Sequence, residues 1–341
     1  EVIPAALAVL RATGLPLELR EGEAGWDCFQ RQGAALPDQT LAAAREADAV
    51  LFGAVASPSH PVPGYRSPIV ALRRALDLYA NIRPTTSAEH AVSGAPAAAL
   101  AGRGAAVDLV VVRENTECLY IGQEQSDGET ATATRLITRR TSERIARFAF
   151  ELASQRVSQA GSGRPRVTIV HKANVLRETC GLFRTAALRV AESYPQVAAD
   201  ELLVDTAALQ LVQRPERFDV LVTTNMFGDI LSDVASYWSG GLGLASSANI
   251  GDRHALFEPV HGAAPDIAGK GIANPLAAIG CVAMLLDHLA QTRSGAGSDF
   301  AGWAGRVRAA VRATLRGETR TPDLGGRAST EDVTRAVIDS L

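Results

Sequence analysis

The sequence predicts an α/β fold in two domains, and two observations carry that expectation. Short apolar runs alternate with amphipathic stretches of helical length, the pattern of a largely parallel sheet covered by helices. The chain has 341 residues, which at roughly 150 residues per domain corresponds to about two domains with a core in each.

Taken in order, Glu1-Val2-Ile3-Pro4 leads into a helix over Ala5–Ala12 with no strand before it. Ala49–Gly53 reads as a strand and Ile69–Leu78 as a helix. After Arg83-Pro84, the Ala/Gly-rich stretch Ser87–Gly104 lacks periodicity and reads as a loop or linker. Val107–Arg113 is a strand; Cys118–Arg140 then alternates Thr with apolar and charged residues around Asp127-Gly128, a hairpin signal that predicts a two-stranded arm. Ser142–Gln159 and Leu182–Ser193 read as helices, and Val167–Val170, Glu201–Val204 and Phe218–Thr223 as strands. Asp229–Trp238 is helical, Gly240–Gly251 is a glycine-rich crossover between domains, and Pro275–Gln291 and Gly302–Leu315 are helices. No internal repeat is present.

Composition narrows the function classes. With 47% hydrophobic and 21% charged residues and a net charge of −3, the chain has no global basic field for nucleic acid, so anion binding falls to a few placed arginines. No apolar run reaches the roughly 18 residues of a membrane helix and no leader opens the chain, which reads as a cytoplasmic protein with no membrane partner. Cys28, Cys118, Cys180 and Cys281 are far apart and lack CxxC spacing, so free thiols are expected rather than a zinc knuckle or disulfides. Of 34 basic residues only Lys172 and Lys270 are lysine. Lysine can lose a proton where arginine cannot, which singles out Lys172 at the end of a strand.

Several constellations suit catalysis. Asp229 and Asp233 are four apart just after a strand, and Asp205 closes another strand; three carboxylates there would suit Mg²⁺ or Mn²⁺, though spacing alone is more often met by Asp229 capping a helix and the others facing water. Arg73, Arg83 and Arg113 sit near helix or strand ends, where guanidinium forks hold a polycarboxylate or simply meet solvent. Lys172 and Tyr120 could move protons, Tyr120 otherwise being a core or interface residue. A GxGxxG fingerprint is absent. Phe257–Pro275 (FEPVHGAAPDIAGKGIANP) offers small residues around an adenine and ribose, with Asp266 placed to accept ribose hydroxyls and repel a 2′-phosphate; a plain Gly/Pro loop is the other reading.

Read together, LYANIRP, VVVRENTECLY, HKANV, RFDVLVTTNMFGDILSD and EPVHGAAPDIAGKGIANP resemble the β-decarboxylating dehydrogenases that include isocitrate, isopropylmalate and homoisocitrate dehydrogenases, over nearly the whole chain. The resemblance implies that family's two-domain fold with a non-Rossmann dinucleotide site. It implies domains at 1–84 with 244–341 and at 85–243, with an arm at about 118–140 serving as a dimer clasp. The implied reaction is oxidation of a 2-hydroxy acid by NAD with loss of the β-carboxylate as CO₂. Matched motif by motif, Arg73, Arg83 and Arg113 would hold substrate carboxylates, and Asp205, Asp229 and Asp233 would bind Mg²⁺ or Mn²⁺. Lys172 would take the hydroxyl proton, Tyr120 would protonate the enol carbon, and Asn174 would touch substrate and nicotinamide. Glu258, His261, Gly262, Ala263, Ala264, Pro265, Asp266, Ile267 and Asn274 would form the NAD site, with Asp266-Ile267 where NADP-using relatives have Lys and Tyr.

The resemblance also implies that Lys172 and Asp205 come from a neighbouring subunit, making the active unit a homodimer or tetramer. Substrate choice would rest on Gly53–Arg74, where Ser57, Tyr65, Arg66 and Ser67 are polar and similar to homoisocitrate-using members. The expected substrate is the 2-hydroxy tricarboxylate homoisocitrate, oxidised on the α-aminoadipate route to lysine. Isocitrate or 3-isopropylmalate is the alternative, and a non-catalytic regulatory subunit is the reading from another class. Val70 stands where broad-specificity members carry Arg, implying a narrower range. Three departures stand out: relatives begin with a strand and a Gly-Asp-Gly-Ile-Gly turn, so a first strand is expected to be missing; Cys118 replaces a glycine; and Thr206 replaces an asparagine.

Overall fold

The computed structural model describes residues 1–58, 60, 62–87, 106–160, 165–293 and 297–341, without the side chains of 157–160 and 297–298. Most of the Ser87–Gly104 stretch, read above as a loop, lies outside these residues. The described chain divides into two compact units, one formed by Glu1–Leu78 and Ser239–Leu341, the other by the described residues from Tyr79 to Trp238.

In the first unit α1 (Val2–Ala12), α2 (Trp26–Gln32) and α3 (Asp38–Glu46) precede the two-residue strand β1 (Val50–Leu51) and α4 (Pro68–Ala75). The second unit starts with β2 (Ala80–Thr86), which pairs antiparallel with β3 (Asp108–Glu114). Proline lacks a ladder donor, so Pro84 disguises this strand in the sequence, yet Pro84 lies opposite Val110 and Arg83 opposite Val111. In β3 every residue after Asp108 is buried, which its unbroken apolar run anticipates for a strand covered on both faces. The expected hairpin is present as β4 (Glu124–Ser126) and β5 (Ala131–Ala133), with Asp127 Oδ1 accepting the Glu129 and Thr130 amides in its turn.

Next come α5 (Arg139–Ala160), β6 (Arg166–His171), α6 (Thr179–Ala191) and β7 (Ala198–Leu203). They are followed by α7 (Val204–Gln213), β8 (Val220–Thr223) and α8 (Asn225–Ser236). Strands β3, β8, β6 and β7 run parallel in that spatial order. Their core gathers Val107, Leu109, Val111, Val170, Leu211, Phe218, Leu221, Leu231 and Trp238, and the Trp238 indole donates to the Leu211 carbonyl at 2.6 Å.

The chain returns to the first unit through β9 (Ser246–Ile250), β10 (Ala255–Pro259), α9 (Leu276–Thr292), α10 (Gly297–Arg316) and α11 (Thr330–Ile338). Strand β10 runs antiparallel to β9 and parallel to β1. Helix α9 buries ten side chains; Gly280 allows its close approach to β9, since a Cβ there would lie 2.2 Å from Ser246 Oγ. The first-unit core also includes Phe52, Leu72, Leu76, Leu78 and Leu256.

The expected α/β class with largely parallel pairing holds, β2–β3 and β9–β10 being antiparallel pairs among parallel ones. Two details differ from expectation. The glycine-rich crossover contains β9, whose Ser-Ser-Ala-Asn-Ile carries too little apolar alternation to read as a strand. Asp205 does not close a strand: β7 ends at Leu203, and Asp205 lies in the first turn of α7, where a carboxylate complements the helix dipole. No described helix is long and apolar enough to cross a membrane.

Leu231 is fully buried on the inner face of α8. Leu231→Ala is expected to cost about 2–5 kcal/mol in urea unfolding with an unchanged m value.

Candidate active site

Strand β3 delivers Arg113 to the start of α8, on which Asn225, Asp229 and Asp233 recur every four residues and share a face. Arg113 is 1% exposed and donates through Nε and Nη2 to Asn225 Oδ1, at 2.9 and 2.7 Å, and through Nη1 to Asp229 Oδ1 in a shorter contact. From β2, Arg83 reaches Asp229 Oδ1 at 3.1 Å, Asp233 Oδ1 at 3.3 Å, Ser232 Oγ at 2.7 Å and Asn81 Oδ1 at 2.8 Å. The helix lies this close because residue 228 is glycine; a Cβ there would stand 2.6 Å from Arg113 Cβ.

Tyr120 follows β3 on the short turn Leu119–Ile121 and donates its phenol to Asp229 Oδ2 at 2.5 Å, with the Arg113 guanidinium carbon 5.0 Å from its ring centre. Burial and the Asp229 hydrogen bond push the phenol above the usual tyrosine range, so it remains protonated at neutral pH. Two residues earlier Cys118 has φ 71° and ψ −149°, backbone that glycine adopts freely and a side chain does not. The thiol is fully buried and accepts from Arg135 Nε at 3.3 Å. The substitution thus keeps the glycine-type turn at a strain cost instead of reshaping it.

Lys172, just beyond β6, donates to Asp205 Oδ1 at 2.7 Å, and this contact holds the Asp205 carboxyl below its ordinary range. Asn174 is exposed in the following turn. Among the described residues of one chain no three His, Cys, Asp or Glu side chains gather as a metal site. Asp229 and Asp233 are together; Asp205 belongs to a separate pair with Lys172.

The first unit holds the remaining candidates. Arg73, on α4, donates through Nη2 to Glu258 Oε1 on β10 at 2.6 Å, with both side chains about one-eighth exposed. The buried Nε of Arg73 has no hydrogen-bond partner among the described residues. Ser57 Oγ lies 2.9 Å from the Tyr65 phenol, whose ring packs edge-on against Trp26 and Phe29 with centroids 5.5 and 5.4 Å apart. In the loop after β10, His261 Nδ1 lies 3.0 Å from the Gly262 carbonyl and its buried Nε2 is unpartnered. Gly262, Ala264, Pro265 and Asp266 are exposed, Ala263 is half-buried, and Ala264 has φ 43°. A turn closes where Ile267 N donates to Ala264 O at 3.1 Å. The Asn274 side chain is engaged locally, accepting the Leu276 amide at 3.0 Å and donating to Asp323 at 3.0 Å.

These groups fit the ligands implied by the motifs. Asp229 and Asp233 offer hard carboxylate oxygens one helical turn apart, suited to Mg²⁺ or Mn²⁺. The orphaned Arg73 Nε lacks an anionic acceptor, and the orphaned His261 Nε2 sits beside an exposed small-residue loop suited to a dinucleotide.

Residues 1–337 match the family model described as isocitrate/isopropylmalate dehydrogenase. The chain belongs to the isocitrate/isopropylmalate dehydrogenase family. It is 51% identical to an isocitrate/homoisocitrate dehydrogenase of Thermus thermophilus, covering 100% of this chain and 95% of that protein. It is 47% identical to a 3-isopropylmalate dehydrogenase of Archaeoglobus fulgidus, again over 100% of this chain and 95% of the relative. The crystal structure of isocitrate dehydrogenase from Methylococcus capsulatus matches with a TM-score of 0.85 at 40% identity, covering 99% of this chain and 95% of that one. The α/β fold of this family is therefore the fold of this chain.

Within this cluster, sequence reasoning missed Asn225, Asn81, Ser232 and Gly228. Asn225 had a findable signal, standing four residues before Asp229 as Asp229 stands before Asp233. Asn81, Ser232 and Gly228 carry no such spacing, and their bearing on the arginines exists only once the strands and α8 have come together.

Gly228→Ala is expected to push Arg113 aside and lower kcat/KM by roughly 100-fold, as about 1 Å of misplacement does, while the variant remains folded by circular dichroism. Cys118→Gly is expected to gain about 1 kcal/mol in urea unfolding, since relief of about 1–3 kcal/mol of strain outweighs glycine's greater chain entropy.

Proposed function

We propose that the chain is an NAD-dependent, Mg²⁺- or Mn²⁺-requiring homoisocitrate dehydrogenase that converts homoisocitrate and NAD⁺ to 2-oxoadipate, CO₂ and NADH on the α-aminoadipate route to lysine. The observation that carries the substrate choice is the Ser57–Tyr65 hydroxyl pair on the Gly53–Arg74 segment. Two adjacent hydroxyls can turn their protons toward a distal carboxylate, whereas an isopropyl group would gain nothing from a pair that already bonds to itself. The Thermus relative's name supports homoisocitrate or isocitrate. The second reading, 3-isopropylmalate, is favoured by the Archaeoglobus relative's name.

In this reading Arg73, Arg83 and Arg113 bind substrate carboxylates. Asp205, Asp229 and Asp233 would hold the divalent ion, which would supply Lewis acidity at the substrate oxygen, and NAD would supply the hydride acceptor. Lys172 takes the hydroxyl proton. Tyr120, kept protonated by burial and by Asp229, delivers a proton to the carbon that loses CO₂. Asn174 orients the nicotinamide. The loop from His261 to Ile267 takes the adenosine half, with the exposed Asp266 repelling a 2′-phosphate.

A homodimer completes each site, the Lys172 and Asp205 that serve it coming from the second protomer. Asp205 shares its face of α7 with exposed Leu209 and Val212, at 55% and 51%, while exposed Ile230 on α8 and Tyr237 just after it flank Asp233. Apolar residues interleaved with the ligating carboxylates favour a protein partner on both helices.

With Mg²⁺ and NAD, kcat/KM is expected to be highest for homoisocitrate; higher values for isocitrate or 3-isopropylmalate would reassign the substrate, and EDTA should abolish turnover. Tyr120→Phe and Lys172→Met should each be inactive, whereas mixing them through a denaturation and refolding cycle should restore about a quarter of wild-type activity, because half of the dimers then hold one intact site. No recovery from refolded mixtures would place Lys172 and Tyr120 of one chain in the same site.

A further inference from the structure

Asn249 lies on β9 outside every group assigned above, and it is fully buried. Its Nδ2 donates to Glu258 Oε1 at 2.8 Å, the same oxygen that accepts Arg73 Nη2 at 2.6 Å. Glu258 lies on the neighbouring strand β10, in which Asn249 pairs with Leu256, and Asn249 Nδ2 also reaches the Leu256 carbonyl at 3.4 Å. The Glu258 backbone is tied as well, its carbonyl accepting Ser247 Oγ at 2.8 Å. A carboxylate on a single flexible side chain would let an arginine swing; here a second donor, carried by the sheet itself, fixes the oxygen on which the guanidinium pivots.

The consequence falls on Arg73 Nε, which is buried without a partner among the described residues. A buried guanidinium nitrogen without an acceptor is unfavourable, so this orientation requires that an anionic ligand complete it or that something else hold it. We propose that Asn249 is a positioning residue: by fixing Glu258 it holds the Arg73 guanidinium with Nε directed to a carboxylate of the substrate. This rests on the reading of Arg73 as a substrate-binding residue, and it gives Glu258 a role toward the hydroxy acid rather than toward the dinucleotide. It makes the same demand whichever of the three candidate acids is the substrate, because it concerns the carboxylate and not the variable arm.

The test is steady-state kinetics of Asn249→Ala on the acid that the wild-type enzyme uses best, with melting temperature measured alongside. Asn249→Ser, smaller and compatible with a strand, takes its place if Asn249→Ala does not fold. The expected result is a KM for the hydroxy acid raised roughly tenfold, the size of effect seen when an outer-shell partner is removed, with KM for NAD and kcat each within about twofold of wild type. In an Arg73→Lys background the further effect of Asn249→Ala on the hydroxy-acid KM should vanish, because lysine has no Nε fork to orient. A lowered melting temperature with unchanged KM would make Asn249 a structural residue only, and a raised KM for NAD would move Glu258 to the dinucleotide. Additive effects in the Arg73→Lys background would equally overturn the proposal. If the wild-type protein turns over none of the three acids, the substrate reading fails separately, and the same comparison is made on dissociation constants of those acids by calorimetry with Mg²⁺.

Discussion

The second unit is organised around one carboxylate. Asp229 accepts from Arg113, Arg83 and Tyr120, so two guanidinium groups, buried to 1% and 8% exposure, are tolerated because a single anion lies against both. Removing charge from water is costly unless it is paired and hydrogen-bonded, and here Asn225, Ser232 and Asn81 take the remaining guanidinium donors that pairing leaves. Arg83 and Arg113 against Asp229 and Asp233 sum to zero charge. A polycarboxylate arriving alone would bring excess negative charge, and a divalent cation alone excess positive charge; the two together come close to balance. That arithmetic is a physical reason for an anionic substrate and a cation to bind as a unit.

The elements legible in the sequence were those with strong hydrophobic period or length. Strand β3, with its continuous apolar run, and helices α5 and α9 lie within a few residues of expectation. Strands β2 and β9 were hidden, one by Pro84 and the other by its small polar residues. Both owe their conformation to pairing with a neighbour, and local sequence cannot report that. The placement of Asp205 at a strand end failed for a related reason, since β7 passes into α7 with no breaker between Leu203 and Val204.

The candidate site divides along the same line. Ionisable residues were readable because their chemistry is unusual where they stand: Lys172 in a chain with only one other lysine, and carboxylates at helical spacing. What orients them was not readable. Gly228 matters through the carbon it lacks, and Asn225 through two hydrogen bonds to a residue 112 positions away in the chain. Such partners are neutral, and their roles exist only after β3 and α8 have come together.

The β4–β5 ribbon has a different bearing on the molecule. All six of its strand residues are exposed, and a lone two-stranded ribbon is only marginally stable in water. Its backbone amides are therefore sensitive reporters of whatever surface comes to rest against them. Slowed hydrogen–deuterium exchange confined to this ribbon as protein concentration rises would register self-association directly, without catalysis having to be observed at all.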